Sequence, residues 1–320
     1  MIRNSEIVKA TGLSSATISM VLNGRPGPKP ETVKLVLEAR DRLSAQKKQQ
    51  ETLARKEICI AGFNMTRNGE VLSAFYDIAL AARHAGIAQN YIPHLFNFDL
   101  SPAGFAAFEQ VLDSTSFCGV ILVGMREPAL EIINRRQLPL VITPYRDNEM
   151  RYNCLSIDNY NGGKLAGSYL AGFNCRKIAI ISSATNPYYS ADRLGGVRDG
   201  AADAEFIDIY YLQDQSQEVW LQQIKSMLAA KCDGLFCANQ VAAVNSVRTL
   251  RQLNVAIGKE LHVAAFDEAP ELAAENITTI AYDNDILGKE AIRMLNTQLK
   301  NPQISSQHAK IATSLINRNS

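Results

Sequence analysis

Arg193, Asn239 and Asp267 offer a guanidinium, a carboxamide and a carboxylate. That set suits vicinal hydroxyls or acid groups, because bidentate charge-assisted hydrogen bonds fit both. Asn239 follows the apolar run "GLFCA", Asp267 follows "HVAAF", and Arg193 opens the helix-prone segment "RLGGVRDGAADA". Asn64, Tyr145 and Asp158 stand in the same way just past "EICIAGF", "LPLVIT" and "CLSI". Where such runs are strands of a parallel α/β sheet, ligands bind in the crevice outside their carboxyl ends. For any one of the six, a surface or loop-capping role is the plainer alternative.

The same chain lacks the marks of catalysis. "YNGGKL" contains Gly-Lys, but Asp158 and Leu165 stand where a phosphate loop needs Gly and Ser or Thr. No G-x-S-x-G occurs, and His84, His94, His262 and His308 share no segment with a nucleophile and form no H-E-x-x-H. The six cysteines are scattered without a C-x-x-C pair, which argues against a zinc site or a disulfide framework. The expectation is therefore a binding protein with no catalytic residues, no metal and no cofactor.

Elements that position those residues are legible from Ile58 onward. Strand-like runs ("YIPHLFNF", "CGVILVG", "LPLVIT") alternate with helix-like ones ("VLSAFYDIALAARHAG", "AGFAAFEQVL", "EPALEIINRR"), and the rhythm restarts near "NGGKLAGSYLAGF". Two parallel α/β halves are predicted. No run of about eighteen apolar residues exists and the first ten residues are charged, so a cytoplasmic protein with no membrane partner is expected.

The first 56 residues differ from the rest. They hold eleven Lys and Arg against five Asp and Glu, a net charge of +6, whereas the remaining 264 carry −5. A basic head on an acidic body suits a module that meets polyphosphate. Ser5 is positioned to cap a first helix ending at Thr11, Gly12 to turn the chain, and "SSATISMVLNG" to form a second helix closed by Asn23-Gly24. Leu13, Ile18, Val21 and Leu22 share one face of it. Ser15, Ala16, Ser19, Met20 and Asn23 make a slim opposite face. A third helix starts at Pro30 and offers Val33, Leu35, Val36, Leu37 and Leu43 for a core. Three short helices of this kind describe a helix-turn-helix domain over residues 1–43.

"EIVKATGLSSATISMVLNG" followed by "PETVKLVLEA" resembles the N-terminus of the lactose-repressor/galactose-repressor family of bacterial regulators. "SIDNYNGGKLAGSYL", "SADRLGGV", "LFCANQVAAVNSVRTLRQLN" and "VAAFDE" resemble its later elements, so the likeness spans nearly the whole chain. It implies a helix-turn-helix head and a two-lobed, parallel α/β, periplasmic-binding-protein-like body over residues 57–320. By that resemblance Ser15 and Ala16 face base edges, Thr17, Ser19 and Asn23 contact phosphates, and Met20 stands where the family has a basic residue. Met20 has a second reading, packing against the first helix. Tyr189, Arg193, Asn239, Asp267 and Tyr282 then line an effector pocket, with Gln240 where the family has Asp. Residues 44–56 lack the family's Tyr-x-Pro-Asn, which leaves Leu53 as the candidate minor-groove wedge and a plain polar linker as the other reading. The implied protein is a homodimeric repressor that binds double-stranded operator DNA under control of a sugar-like or carboxylate-bearing small molecule. An enzyme or a solute-binding protein is the alternative.

The charge asymmetry sets a first test. Affinity for operator DNA should fall steeply with salt, as neutralised phosphates release their counterions. Gel-shift titrations that give the same Kd at low and high salt would remove polyphosphate from the account.

Overall fold

Ile7, Ile18, Val21, Val36 and Ala39 close a small core beneath three helices, α1 (Asn4–Thr11), α2 (Ser15–Leu22) and α3 (Pro30–Leu53). In the computed structural model the described residues are 3–53, 56–67, 70–71, 73–183, 187–211 and 216–320. They divide into two compact units, Met1–Lys56 and Glu57–Ser320.

In the first unit Gly12 ends α1 at φ 70°, donating its N–H to Val8 O, and Ser14 caps α2 by accepting from Thr17 N. Two expectations change here. Ser5 does not cap α1 but lies inside its first turn, and the Glu6 carboxylate reaches back to accept the Arg3 N–H at 2.6 Å. Asn23 keeps a negative φ, so only Gly24, at 64°, takes the left-handed conformation after α2. The polar segment after Leu43 does not break from the third helix. With no Gly or Pro among its Gln, Lys and Glu residues, α3 continues as 24 residues to Leu53. The side chains from residue 45 to Leu53 lie outside the described residues.

The second unit holds two six-stranded sheets. The first lobe is built from β1 (Lys56–Phe63), a short ribbon of β2 (Thr66–Arg67) and β3 (Glu70–Val71), α4 (Ser73–Ala88), β4 (Tyr91–Phe98), α5 (Pro102–Ser114), β5 (Val120–Val123), α6 (Glu127–Arg135), β6 (Leu140–Thr143) and β7 (Asn153–Ile157). The second lobe takes α7 (Asn159–Gly172), β8 (Lys177–Ser183), α8 (Pro187–Gly200), β9 (Glu205–Tyr211), α9 (Gln217–Ala229), β10 (Gly234–Cys237), α10 (Gln240–Gln252), β11 (His262–Phe266), α11 (Pro270–Ala274) and β12 (Thr278–Tyr282). The chain then returns: α12 (Asn284–Lys300) packs on α4 and β13 (His308–Ile311) pairs in parallel with β7. Finally β14 (Thr313–Ile316) joins the second sheet, antiparallel to β12.

Strand order is β13-β7-β6-β5-β1-β4 in the first sheet and β14-β12-β11-β10-β8-β9 in the second. The lobes are thus joined at three crossovers, near Asp158, Asp283 and Ala312. Asp158 caps α7 and Asp283 caps α12, so two crossovers are fixed by a side-chain cap on the helix that follows. The sequence reading foresaw two consecutive halves; the return of the last strands to both sheets was not visible in it.

Each helix that follows a crossover is seated by glycine. On α7 and α8, Gly163 and Gly167 face the backbone at Arg193 and Val197, while Gly196 and Gly200 face the backbone at Tyr160 and Lys164. A Cβ at any of the four would overlap main-chain atoms of the other helix. In the first lobe Gly288 of α12 meets the backbone at Ala81 and Ala82 of α4 in the same way. Gly196→Ala should therefore lower unfolding stability by at least about 1–3 kcal/mol, since the obstacle is backbone that cannot rotate aside. Gly195 has nothing within 4 Å of an added Cβ, so Gly195→Ala should be neutral or gain up to about 1 kcal/mol from helix propensity. Thermal melts of the two neighbours check this contrast.

Candidate functional site

In both sheets the order reverses once, at β1/β5 in the first and β8/β10 in the second. Parallel sheets leave a crevice at such points, because adjacent connections depart to opposite faces. Both crevices open on one cleft of about 740 Å³, within the range that accepts small ligands. Asn64 and Arg126 follow β1 and β5, and Asn239 follows β10; all three line it, with Ser183 at the end of β8. The amino ends of α6, α7 and α10 open there too, bringing their partial positive charge.

Arg193 is the most constrained group in the cleft. Its side chain is buried, with Nε donating to Asn159 Oδ1 at 2.8 Å and Nη1 to Ala238 O at 2.6 Å. Both terminal nitrogens also face the Asp267 carboxylate at 3.4 Å. The guanidinium lies over the Phe266 ring at 3.6 Å and near the Tyr189 ring at 4.5 Å, so it is held flat between aromatic faces. Arg193 does not open its helix, contrary to expectation. Pro187 begins α8 six residues earlier, which places Arg193 in the second turn, where its carbonyl faces Gly163.

Asp267 sits just past β11 with φ 75°, a left-handed backbone held by its N–H bond to Ile280 O. Its carboxylate also accepts from Gln240 N and from the Tyr282 hydroxyl. Asn239 caps α10: its Oδ1 accepts from Ala242 N at 2.9 Å and from the Tyr211 hydroxyl at 3.0 Å, and its Nδ2 donates to the Tyr189 hydroxyl. Burial pushes the Tyr189, Tyr211 and Tyr282 hydroxyls upward in pKa, so all three are neutral hydrogen-bonding groups near pH 7.

All eight residues singled out in the body (Asn64, Tyr145, Asp158, Tyr189, Arg193, Asn239, Asp267 and Tyr282) line this one cleft. Their roles differ. Asp158 is engaged as the α7 cap and pairs with Lys310 Nζ at 3.6 Å. Arg126, Arg146, Asp192, Tyr211 and Lys310 also line the cleft and were not foreseen. Arg126 and Tyr211 lie at or just past a strand end, so the rule that found Asn64 and Asn239 would have found them. Lys310 depends on the returning strand β13 and had no such signal. Among the described residues no group of His, Cys, Asp and Glu is arranged to hold a metal ion.

In the head, Ser15, Ala16 and Asn23 are exposed, while Thr17, Ser19 and Met20 are half-buried. Thr17 Oγ1 shares a hydrogen bond with Ser14 Oγ, and Asn23 Nδ2 donates to Ser19 O and Oγ, so part of the slim face is tied within its own helix. The Met20 methyl group lies against Gly27 of the following loop. Leu53 belongs to α3, with its side chain outside the described residues.

With this geometry in hand, comparison with known proteins gives a consistent result. The model of a periplasmic binding protein-like domain matches residues 168–320. The HTH-type transcriptional regulator RegA of Clostridium saccharobutylicum is 25% identical over 327 residues, spanning 98% of each chain. Among solved structures, the transcriptional regulator CelR in complex with cellobiose superposes with a TM-score of 0.71 at 21% identity over 100% of both chains. The Lac repressor bound to ONPG superposes with a TM-score of 0.68 at 18% identity over 99% of each. The fold is that of a two-lobed periplasmic-binding-protein-like body. Over nearly its whole length the chain is thus similar to HTH-type transcriptional regulators, in line with its sequence resemblance to the lactose-repressor/galactose-repressor family.

The Arg193–Asp267 contact predicts coupled losses. Arg193→Ala or Asp267→Asn should each destabilise the body by about 3 kcal/mol, the low end for a broken buried pair, because the remaining partner keeps other hydrogen bonds. The double variant should lose little more than either single one, a coupling that denaturant titrations of all four proteins measure. Fully additive losses would mean the two groups act independently.

Proposed function

We propose that this protein is a sequence-specific DNA-binding transcriptional regulator, a repressor acting as a homodimer in the cytoplasm. Its operator binding is controlled by a small molecule, a sugar or sugar derivative, held between the two lobes. The observation that carries the reading is one cleft lined by polar groups from both lobes, in a chain whose other unit is a basic three-helix head.

The polar set supports such a ligand. Asn239, Asp267 and the tyrosine hydroxyls supply both donors and acceptors, while Phe63, Phe75 and the tyrosine rings present flat apolar surface. Hydroxyls and C–H faces alternate on a sugar ring, and both wall types match it. The cellobiose held by CelR supports the same class. A ligand touching both walls shifts the lobes toward closure by its differential affinity for the closed form. The protein is read as a binding device, not an enzyme, because the proteins it is similar to are regulators.

In the head, Ser15 and Ala16 are assigned to base edges, with Thr17, Ser19, Met20 and Asn23 flanking them along the duplex. Two measurements test the whole. A thermal-shift screen should find a sugar-class ligand that raises the melting temperature in step with ln(1 + [L]/Kd), and the same ligand should change operator retardation. Ala16→Glu should cost more than about tenfold in operator affinity, since a carboxylate would face the phosphate-lined groove, while ligand-induced stabilisation stays as in the parent. Unaltered retardation by Ala16→Glu would move the reading face elsewhere.

A further inference from the structure

Met20 lies on the slim face of α2, at helical spacing from Ala16 and Asn23, yet its side chain takes no part in the core of the head. Among the described residues, those half-buried against that core are Val8, Leu13, Leu22, Val33, Leu37 and Leu43. The Met20 methyl group instead lies 2.9 Å from where a Cβ on Gly27 would stand. The backbone makes the same connection: Arg25 N–H donates to Met20 O at 2.9 Å, after Gly24 has turned the chain at φ 64°. Residues 24–29 are thus folded back onto the end of α2 and held at two points. Gly27 takes φ 129°, which a residue with a side chain rarely adopts, and Pro26, Pro28 and Pro30 fix φ on either side of it. The loop is stiff as well as anchored.

That loop carries Arg25 and Lys29. Both are exposed, and among the described residues neither forms an ion pair, whereas on α3 Lys34 pairs with Glu38 and Arg40 with Asp41. The carboxyl half of the slim face is meanwhile occupied: Asn23 Nδ2 is tied to Ser19, and Met20 lies against the loop. Ser15 and Ala16 remain open at the amino end, where a recognition helix reads base edges. Cations that meet phosphates set register and affinity without reading sequence. They do so at least cost when their backbone is already fixed, since less freedom is lost on binding.

Resting on the reading of the head as the DNA-binding unit, we propose that Met20 is a positioning residue. It reads no base; it holds the 24–29 loop so that Arg25 and Lys29 meet phosphates beside the groove that α2 enters. Base reading then falls to Ser15 and Ala16. Where the resembling family has a basic side chain, this chain has a strut for two cations further along.

The test uses the full-length protein and two fluorescein-labelled duplexes of equal length, one selected by the parent protein from a random library and one of unrelated sequence. Anisotropy titrations across a range of salt give Kd and the salt slope for each. Arg25→Gln and Lys29→Gln should each weaken both duplexes by a similar factor and flatten the slope by about 1 per head engaged. Met20→Ala should weaken both duplexes and flatten the slope in the same sense, with unaltered preference at every base position of the selected duplex. In the Arg25→Gln, Lys29→Gln background it should cost little further, because the groups it positions are gone. Met20→Leu, close in volume, should keep most of the affinity that Met20→Ala loses. Gly27→Ala disturbs the same contact from the loop side and should repeat the pattern, so the result does not rest on the stability of one variant. If Met20→Ala alters preference at one or two base positions and leaves the unrelated duplex and the salt slope as in the parent, Met20 reads bases and the proposal is overturned. Losses fully additive with those of the two cations overturn it as well, as do Met20→Ala and Gly27→Ala proteins that both bind like the parent. Each of these outcomes leaves the head a DNA-binding unit. A parent protein that binds neither duplex would take the proposal and the DNA-binding reading down together.

Discussion

Helices α7 and α8 meet through their backbones, and most of the cleft depends on that contact. Gly163 and Gly167 on one helix and Gly196 and Gly200 on the other leave no side chain between them. Close approach sets the height of α8 above the second sheet, and with it the position of Arg193, whose carbonyl faces Gly163 while its guanidinium crosses toward Asp267 and Ala238. The guanidinium is then clamped by Phe266 and Tyr189. An arginine fixed on so many sides is a rigid reference surface, and the tyrosines and Asn239 are oriented around it by hydrogen bonds that leave little rotational freedom.

Rigidity on one wall contrasts with adjustability between walls. The second-lobe groups are cross-linked among themselves, whereas the contacts from the first-lobe wall are more exposed: the Arg146 and Lys310 side chains are both about half exposed. Exposed pairs of that kind contribute little stability and break readily in salt. The cleft thus joins a rigid, cross-linked wall to one whose contacts are weak and solvent-exposed.

Much of this was legible in the sequence, for reasons that can be stated. Strands buried on both faces read as unbroken apolar runs, so "LPLVIT", "HVAAF" and "GLFCA" revealed their ends, and Tyr145, Asp267 and Asn239 past those ends lie together in the cleft. The family likeness added Tyr189 and Tyr282, which strand ends alone did not reveal. What escaped was non-local. "HAKI" and "TSLI" are short and mixed in polarity, and nothing in four residues tells which of two sheets they join. The start of α8 was placed too late because "PYYSAD" carries weak helix signals, although Pro187 suits a first turn. The extension of α3 was masked by its polarity: a stretch without an apolar face reads as linker even where its residues favour helix.

The interleaving of the lobes bears on how the chain is made. Residues 159–282 form an almost complete second lobe as one continuous stretch, lacking only its edge strand β14. The first lobe is split around it: strands β1 to β7 come early, while α12 and β13, which cover and extend that sheet, are the product of residues 284–311. During synthesis the lobe that appears first must wait for the last, with α4 lacking its helical neighbour and β7 its outer strand through most of translation. Contacts of such long sequence separation form slowly and leave apolar surface uncovered in the interval. The inserted lobe can meanwhile fold as a unit, so the order of assembly in the cell runs from the inside of the gene outward.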